Sequence, residues 1–417
     1  MPKNSLVKAL VLCSGLGTGL ALPSPVSADV VTDWAARGVA IGSDKQVPNA
    51  PFTRVLAMMH VAMFEAINAT ERRYRPYKLD LEVDKATSKE AAGAAAAHMV
   101  LITLFPDEKP RLDQALQASL ILISDGEAKT RGVELGRHVG TAIVASRIDD
   151  GSGARESYRP LTTPGVYVPT ALPIEIMSGG IRPWAMERGS QFRPLPPPDL
   201  TSDAWTRDLN EVREVGALQS KTRTAEQTEI GRFWFFTGPR TYTPLVQQAV
   251  ETKKMDVLDC ARVYALVAMA TSDAFIAVFD AKYAYNFWRP ITAIRNADLT
   301  ANTATPRDPS WLPLGLTPPH PEYPCAHCIV AAAVAEVLQR TVGDVGEFAL
   351  TSPTAGGVTR KWKKWVDYSK EVSSARIYSS FHYRFSTEAA NAMGRKIGEL
   401  VVTTRLLSGS SSKTAKQ

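Results

Sequence analysis

The segment Val55-Leu56-Ala57-Met58-Met59-His60-Val61-Ala62-Met63-Phe64-Glu65-Ala66-Ile67 puts Val55, Met58, Met59, Ala62, Met63 and Ile67 at three- and four-residue intervals. That is the repeat of a helix burying one face. The same period continues on the C-terminal side through Ala-rich Glu90 to Phe105, behind the capping candidates Thr87 and Ser88, and through Pro110 to Ile123 and Glu127 to Arg147. Strand-like alternation is nearly absent. The expectation is an all-α protein built as a helical bundle or bundles.

Residues 149–203 break this pattern. Pro160, Pro164, Pro169, Pro173, Pro183, Pro194, Pro196, Pro197 and Pro198 exclude long helices. A connection this long is usually functional or a linker, and it is read here as a Pro/Gly-rich loop packing over a site mouth. Helical pattern resumes at Trp205 to Gly216 and at Ala225 to Phe236, where Thr224 and Gln227 form a capping-box pair. It continues at Leu245 to Lys254, Val257 to Trp288, Cys325 to Arg340 and Thr387 to Leu407.

The chain has 417 residues, 45% hydrophobic and 22% charged, with a net charge of +6. That composition excludes a disordered chain, a collagen-like fibre and a disulfide scaffold. Charges of both signs are scattered, so nothing announces a nucleic-acid partner. Lys3 and Lys8, the apolar Ala9 to Leu22 and the small residues Val26-Ser27-Ala28 read as an export signal over residues 1–28, implying a periplasmic or secreted protein. Leu12 before Cys13 argues against a lipoprotein, and Thr271, Ser272 and Asp273 interrupt Val263 to Phe279, the best candidate for a membrane span. The expected organisation is a signal at 1–28, a helical part at 29–148, the loop at 149–203, a C-terminal bundle at 204–407 and a disordered tail at 408–417.

Three segments of the C-terminal third carry chemistry. In Lys282-Tyr-Ala-Tyr-Asn-Phe-Trp-Arg289-Pro290, Lys282 and Arg289 are seven apart and would share one helix face, with Pro290 leaving Arg289 at a helix end. In His320-Pro-Glu-Tyr-Pro-Cys325-Ala326-His327-Cys328, a helix starting near Cys325 would offer the N–H groups of Ala326 and His327 to an anion. In Arg376-Ile-Tyr-Ser-Ser-Phe-His382-Tyr-Arg-Phe-Ser386, Arg376 and His382 are six apart, so a break near Ser379-Ser380 is needed to bring both to one ligand. Lysine and arginines converging on one point suit a tetrahedral oxyanion.

These three motifs, in this order and spacing, resemble the shared site of vanadium-dependent haloperoxidases and type 2 phosphatidic acid phosphatases. Phe287-Trp288-Arg289-Pro290 and the segment from Arg376 to Phe385 lean to the haloperoxidase branch, since the phosphatases usually carry an acid shortly after the last His and Ser386 stands there. The resemblance implies vanadate as prosthetic group, in competition with phosphate. Lys282, Arg289 and Arg376 would neutralise its oxygens, and Ala326 would give a backbone N–H. His327 would be the acid–base residue and His382 the metal ligand. It further implies hydrogen peroxide, a halide and an organic acceptor as substrates, with His320 marking the halide pocket and favouring bromide or iodide. Cys325 stands where the family has Ser, which weakens hydrogen bonding to the anion; the alternative is a local disulfide with Cys328. Two alternatives use the same pocket: a soluble acid-phosphatase-type hydrolase with His382 as nucleophile, and a non-catalytic anion binder. Oligomeric state is left open.

Other features have plainer readings. Cys325-Ala-His-Cys328 lacks the spacing for haem attachment, the βαβ context of a redox dithiol and the further ligands of a zinc site. His60, His98 and His138 are expected as core or interface histidines, and Met58, Met59 and Met63 as packing. Phe233 to Phe236 are expected to be buried, the alternative being a cleft wall. Lys361, Lys363 and Lys364, among Trp362 and Trp365, are expected on a solvated helix face.

Overall fold

The computed structural model describes residues 30–409; the export-signal reading and residues 410–417 of the tail lie outside them. Five helices form the N-terminal half: α1 (Val30–Asp44), α2 (Asn49–Glu71), α3 (Lys89–Leu104), α4 (Lys109–Leu120) and α5 (Glu127–Ala145). The C-terminal half holds α6 (Asp203–Val215), α7 (Ala225–Phe233), α8 (Pro239–Thr252), α9 (Val257–Tyr285), α10 (Pro290–Arg295), α11 (Ala326–Thr341), α12 (Trp365–Tyr378) and α13 (Arg384–Thr404). An antiparallel hairpin of β1 (Phe348–Thr351) and β2 (Thr359–Trp362), pairing Phe348 with Trp362, lies between α11 and α12. Among the described residues the protein is all-α apart from this hairpin.

The period-3.6 segments fold as read. Met58, Met59 and Met63 are fully buried in α2, which packs on α3 and α9. Ser88 caps α3 by accepting the N–H of Ala91, and the Thr224–Gln227 capping box closes on α7. α2 and α9 are apolar and long enough to cross a membrane, but 89% and 94% of their most apolar windows are buried inside the bundle. Two helix pairs approach at backbone contact. A Cβ on Gly136 would lie 2.3 Å from the Ala92 carbonyl on α3, and one on Gly394 would lie 2.3 Å from the Ile329 carbonyl on α11. The second pairing fixes α13 against α11, and with them the two ends that carry His382 and His327.

The Pro-rich segment forms two short 3-10 turns and otherwise runs without helix. Asp273 of α9, fully buried, staples it by accepting the N–H groups of Trp184 (2.7 Å), Ala185 (2.8 Å) and Met186 (3.1 Å). Upstream, Tyr167 donates to the Asn286 carbonyl at 2.7 Å and Trp288 to that of Gly165 at 3.0 Å, so the segment pairs with the chain beside Arg289.

Some expectations are corrected. α8 begins at Pro239, six residues before Leu245, because a proline at the first helical position loses no hydrogen bond. Lys361 and Trp362 lie on β2 rather than on a helix, and Trp362 is buried against Trp234 and Tyr368. His138 is exposed, on the solvent side of α5. His60 and His98 are buried as expected, His60 stacked on Tyr264 at 5.0 Å and His98 bonded to Asp113 at 2.8 Å. The first tail residues are ordered: Ser408 bridges to Tyr74 and Gly409 donates to the Arg73 carbonyl.

Candidate anion site

The site forms where four helix ends meet, those of α9, α10, α11 and α12. α9 stops at Tyr285 because Asn286 turns left-handed (φ 49°), and Arg289 then sits at the N-cap of α10 with extended backbone. Lys282 and Arg289 therefore do not share a helix face; the chain reversal between them brings both heads inward. α12 stops at Tyr378, and Ser380 takes a φ of 68° before His382, the break that joining Arg376 to His382 required. Cys325 caps α11, leaving Ala326 and His327 in its first turn with their N–H groups outside the helical ladder.

Lys282, Arg289, Arg376 and His382 are all buried. Lys282 donates to the carbonyls of Pro321 (2.8 Å) and Glu322 (2.7 Å). Arg289 donates to the carbonyls of His320 (2.9 Å) and Phe381 (2.8 Å), approaches His320 Nδ1 at 2.9 Å and lies 3.4 Å from His382 Nε2. Arg376 bonds the Trp234 carbonyl and lies over the Phe381 ring at 4.3 Å, while its Nε is buried with no partner. Burial pushes Lys282 and Arg376 well below their ordinary values, and neighbouring arginine charge pushes the same way. His327 and His382 are driven well below the usual histidine range by burial and then by the three cations, so both rest neutral.

One functional residue was missed from sequence. Glu322, fully buried, accepts from His382 Nδ1 at 2.7 Å and from the Tyr383 N–H at 3.1 Å, with Ser386 Oγ 3.5 Å from the same ring nitrogen. Burial raises its carboxyl to about 7 against the pull of Lys282 and Arg289. Its signal was already in the quoted segment, as the acid two residues after His320. A proton on Nδ1 leaves the Nε2 lone pair of His382 facing the cradle.

Three buried cations face one buried carboxylate. Such an excess is costly in a closed interior and calls for an anion. The orphaned Nε of Arg376 and the free N–H groups of α11 point to the same need, so the residues fit a vanadate or phosphate group. The Cys325 side chain does not join them: Cys325 and Cys328 form a disulfide, whose sulfur has no proton to give, and Cys325 Sγ instead accepts the Cys328 N–H at 3.2 Å.

A cavity of about 400 Å³ opens above this cradle, floored by His320, Ala326 and His327. Phe236, past the end of α7, forms part of its wall, so the aromatic run divides between burial (Phe233, Trp234) and cleft. The Pro-rich segment supplies Ile174 and Glu175, which places that loop at the site mouth.

Comparisons with known proteins find relatives among the vanadium haloperoxidases. Residues 262–408 match the family model described as the VCPO second helical-bundle domain. Over 178 residues the chain is 32% identical to vanadium chloroperoxidase of Curvularia inaequalis, a match covering 34% of this chain and 29% of that protein, less than a third of the relative's length. The structure of the first bacterial vanadium-dependent iodoperoxidase superposes with a TM-score of 0.78 at 25% identity, covering 93% of this chain and 99% of that one. A holo-type bacterial vanadium-dependent chloroperoxidase shares the fold, with a TM-score of 0.68 at 15% identity over 85% of this chain and 91% of its own. The resemblance lies with the haloperoxidase branch of the superfamily.

Proposed function

From a chain that resembles vanadium haloperoxidases in fold and motifs, we propose an exported vanadate-dependent haloperoxidase that oxidises bromide or iodide with hydrogen peroxide. The observation that carries it is the convergence of the buried Lys282, Arg289 and Arg376 with neutral His382 and His327, the last of which lines the cavity.

Lys282, Arg289, Arg376 and the first N–H groups of α11 would hold the vanadate oxygens, and His382 Nε2 would ligate the metal. Bound there, vanadate supplies a Lewis acid that activates peroxide. Glu322 holds the His382 proton on Nδ1 and so keeps Nε2 available. His327 is half-open to the cavity, its ring hydrogen-bonded to the Phe235 backbone. It is placed to take a proton from an incoming hydroperoxide and return it to a leaving oxygen. His320 Nδ1 lies 2.9 Å from the Arg289 guanidinium and 3.1 Å from the Pro321 carbonyl, which fixes its ring at the cavity floor as the halide-pocket residue.

The His382–Glu322 pair favours a second reading. A nucleophilic histidine needs the same orienting carboxylate, and Glu322 supplies from another segment the acid missing after His382, so phosphomonoester hydrolysis uses the same residues. The deciding experiment is peroxide-dependent bromination of a dimedone-type acceptor by purified protein, with and without vanadate. Activity is expected only with vanadate and is expected to vanish in His382→Ala. Phosphate release from a generic phosphomonoester without halogenation would establish the hydrolase instead.

A further inference from the structure

The cavity over the cradle is larger than the proposed chemistry needs. Hydrogen peroxide and a halide each fill a volume comparable with one or two waters, about 30 Å³ apiece. The cavity measures about 400 Å³, within the range of sites that enclose organic molecules. Its walls are aromatic: Phe52, Phe236, Phe275 and Phe279, of which Phe275 and Phe279 stack at 6.1 Å with an interplanar angle of 12°. Phe279 also meets the His320 ring edge-on at 5.3 Å, so this surface runs down to the floor.

Two charged side chains line the same space. Arg240, exposed at the start of α8, lies 4.5 Å over the Phe236 ring, and no acidic side chain pairs with it among the described residues. Glu175 is already committed: it accepts from the Ala50 N–H at 3.2 Å and the Ser178 hydroxyl at 2.6 Å, and burial raises its carboxyl. The cation is thus the charge available to a ligand.

We propose that this cavity binds the organic acceptor, and that the acceptor is an electron-rich aromatic bearing an anionic group, its ring among the phenylalanines and its acid on Arg240. The inference rests on the haloperoxidase reading for its chemistry but not for its binding. With hypohalous acid from the floor as oxidant, a ring carbon would attack the halogen. The halogen–oxygen bond breaks, and the departing hydroxide takes up the displaced ring proton as water.

The test uses 4-hydroxybenzoate and its neutral counterpart 4-hydroxybenzyl alcohol, titrated calorimetrically into full-length mature protein without vanadate. Expected is one saturable site for the acid, weakened roughly five- to tenfold in Arg240→Ala, largely retained in Arg240→Lys, with the alcohol changed less than twofold. A thermal unfolding midpoint equal to that of wild type shows that Arg240→Ala folds. Equal binding of the acid by wild type and Arg240→Ala, or none at millimolar acid in protein that halogenates the alcohol, overturns the proposal and leaves the haloperoxidase reading intact. Arg240-dependent binding without halogenation upholds the site and removes the reading instead.

Discussion

Glu322 offers the sharpest perturbation, because among the cradle side chains its carboxylate hydrogen-bonds His382. Its carboxylate accepts the His382 Nδ1–H at 2.7 Å between fully buried groups. A charge-assisted bond of this kind contributes about 1.5–3 kcal/mol, against about 0.5–1.5 for a neutral one. Glu322→Gln keeps an acceptor but removes the charge, so it should cost roughly 1–1.5 kcal/mol, about tenfold in vanadate affinity. Glu322→Ala leaves the ring without any orienting partner and should approach a hundredfold, the upper range for losing a ligand's support. An opposing effect must be weighed: deleting a negative charge near an anion site favours anions in general. Phosphate separates the two, since it feels the charge but forms no metal bond to His382. At pH 8, above the Glu322 value of about 7, calorimetry on the vanadate-free protein should show vanadate weakened while phosphate is unchanged or slightly tighter. The ¹⁵N shifts of His382 should move from a pure Nδ1–H tautomer to a mixture. If the ratio of vanadate to phosphate affinity is the same in wild type and both variants, the positioning role is wrong.

Two further outcomes follow from the same physics. His60, held at about 3 by burial, stays neutral in the fold while the unfolded chain protonates near 6.5; stability is therefore lost as pH falls below 6.5, and between pH 7.5 and 5.5 wild type should lose about 1.4 kcal/mol more than His60→Phe in denaturant unfolding. Cys325→Ser/Cys328→Ala replaces a protonless sulfur by a hydroxyl at the head of α11, so vanadate should bind about threefold to tenfold tighter while the unliganded protein loses about 2 kcal/mol of stability in thermal unfolding; unchanged vanadate affinity would show that this position does not reach the anion.

How much of this was legible depended on whether a signal was local. Helices announced themselves through periods and caps that act over a few residues, as at Ser88 and Thr224. The three anion motifs were legible because charge and proline placement are local too, and because the break demanded between Arg376 and His382 is a local geometric necessity met at Ser380. What failed was long-range. The carboxylate that bonds His382 is that of Glu322, sixty residues upstream, and no spacing rule joins the two. The hairpin at Phe348 and Thr359 was hidden because four-residue strands carry too little alternation to compete with a Trp/Lys run that also suits a helix. The cavity walls come from the α1–α2 corner, the Pro-rich segment, α8 and α9, a meeting only the tertiary structure defines.

The charge balance of the cradle also decides between a functional and a structural reading of its residues. A structural network would pair its charges, as Asp150 does, taking Arg54 at 2.7 Å and Arg147 at 3.0 Å. In the cradle the pairing is refused: Lys282 and Arg289 spend their donors on carbonyls, Arg376 keeps a buried nitrogen without a partner, and the one carboxylate turns to a histidine. Replacing these cations by apolar side chains would relieve the fold of their desolvation. Their presence fits an anion that completes the balance, and the neutral histidines beside them fit the metal ligation and proton transfer proposed above.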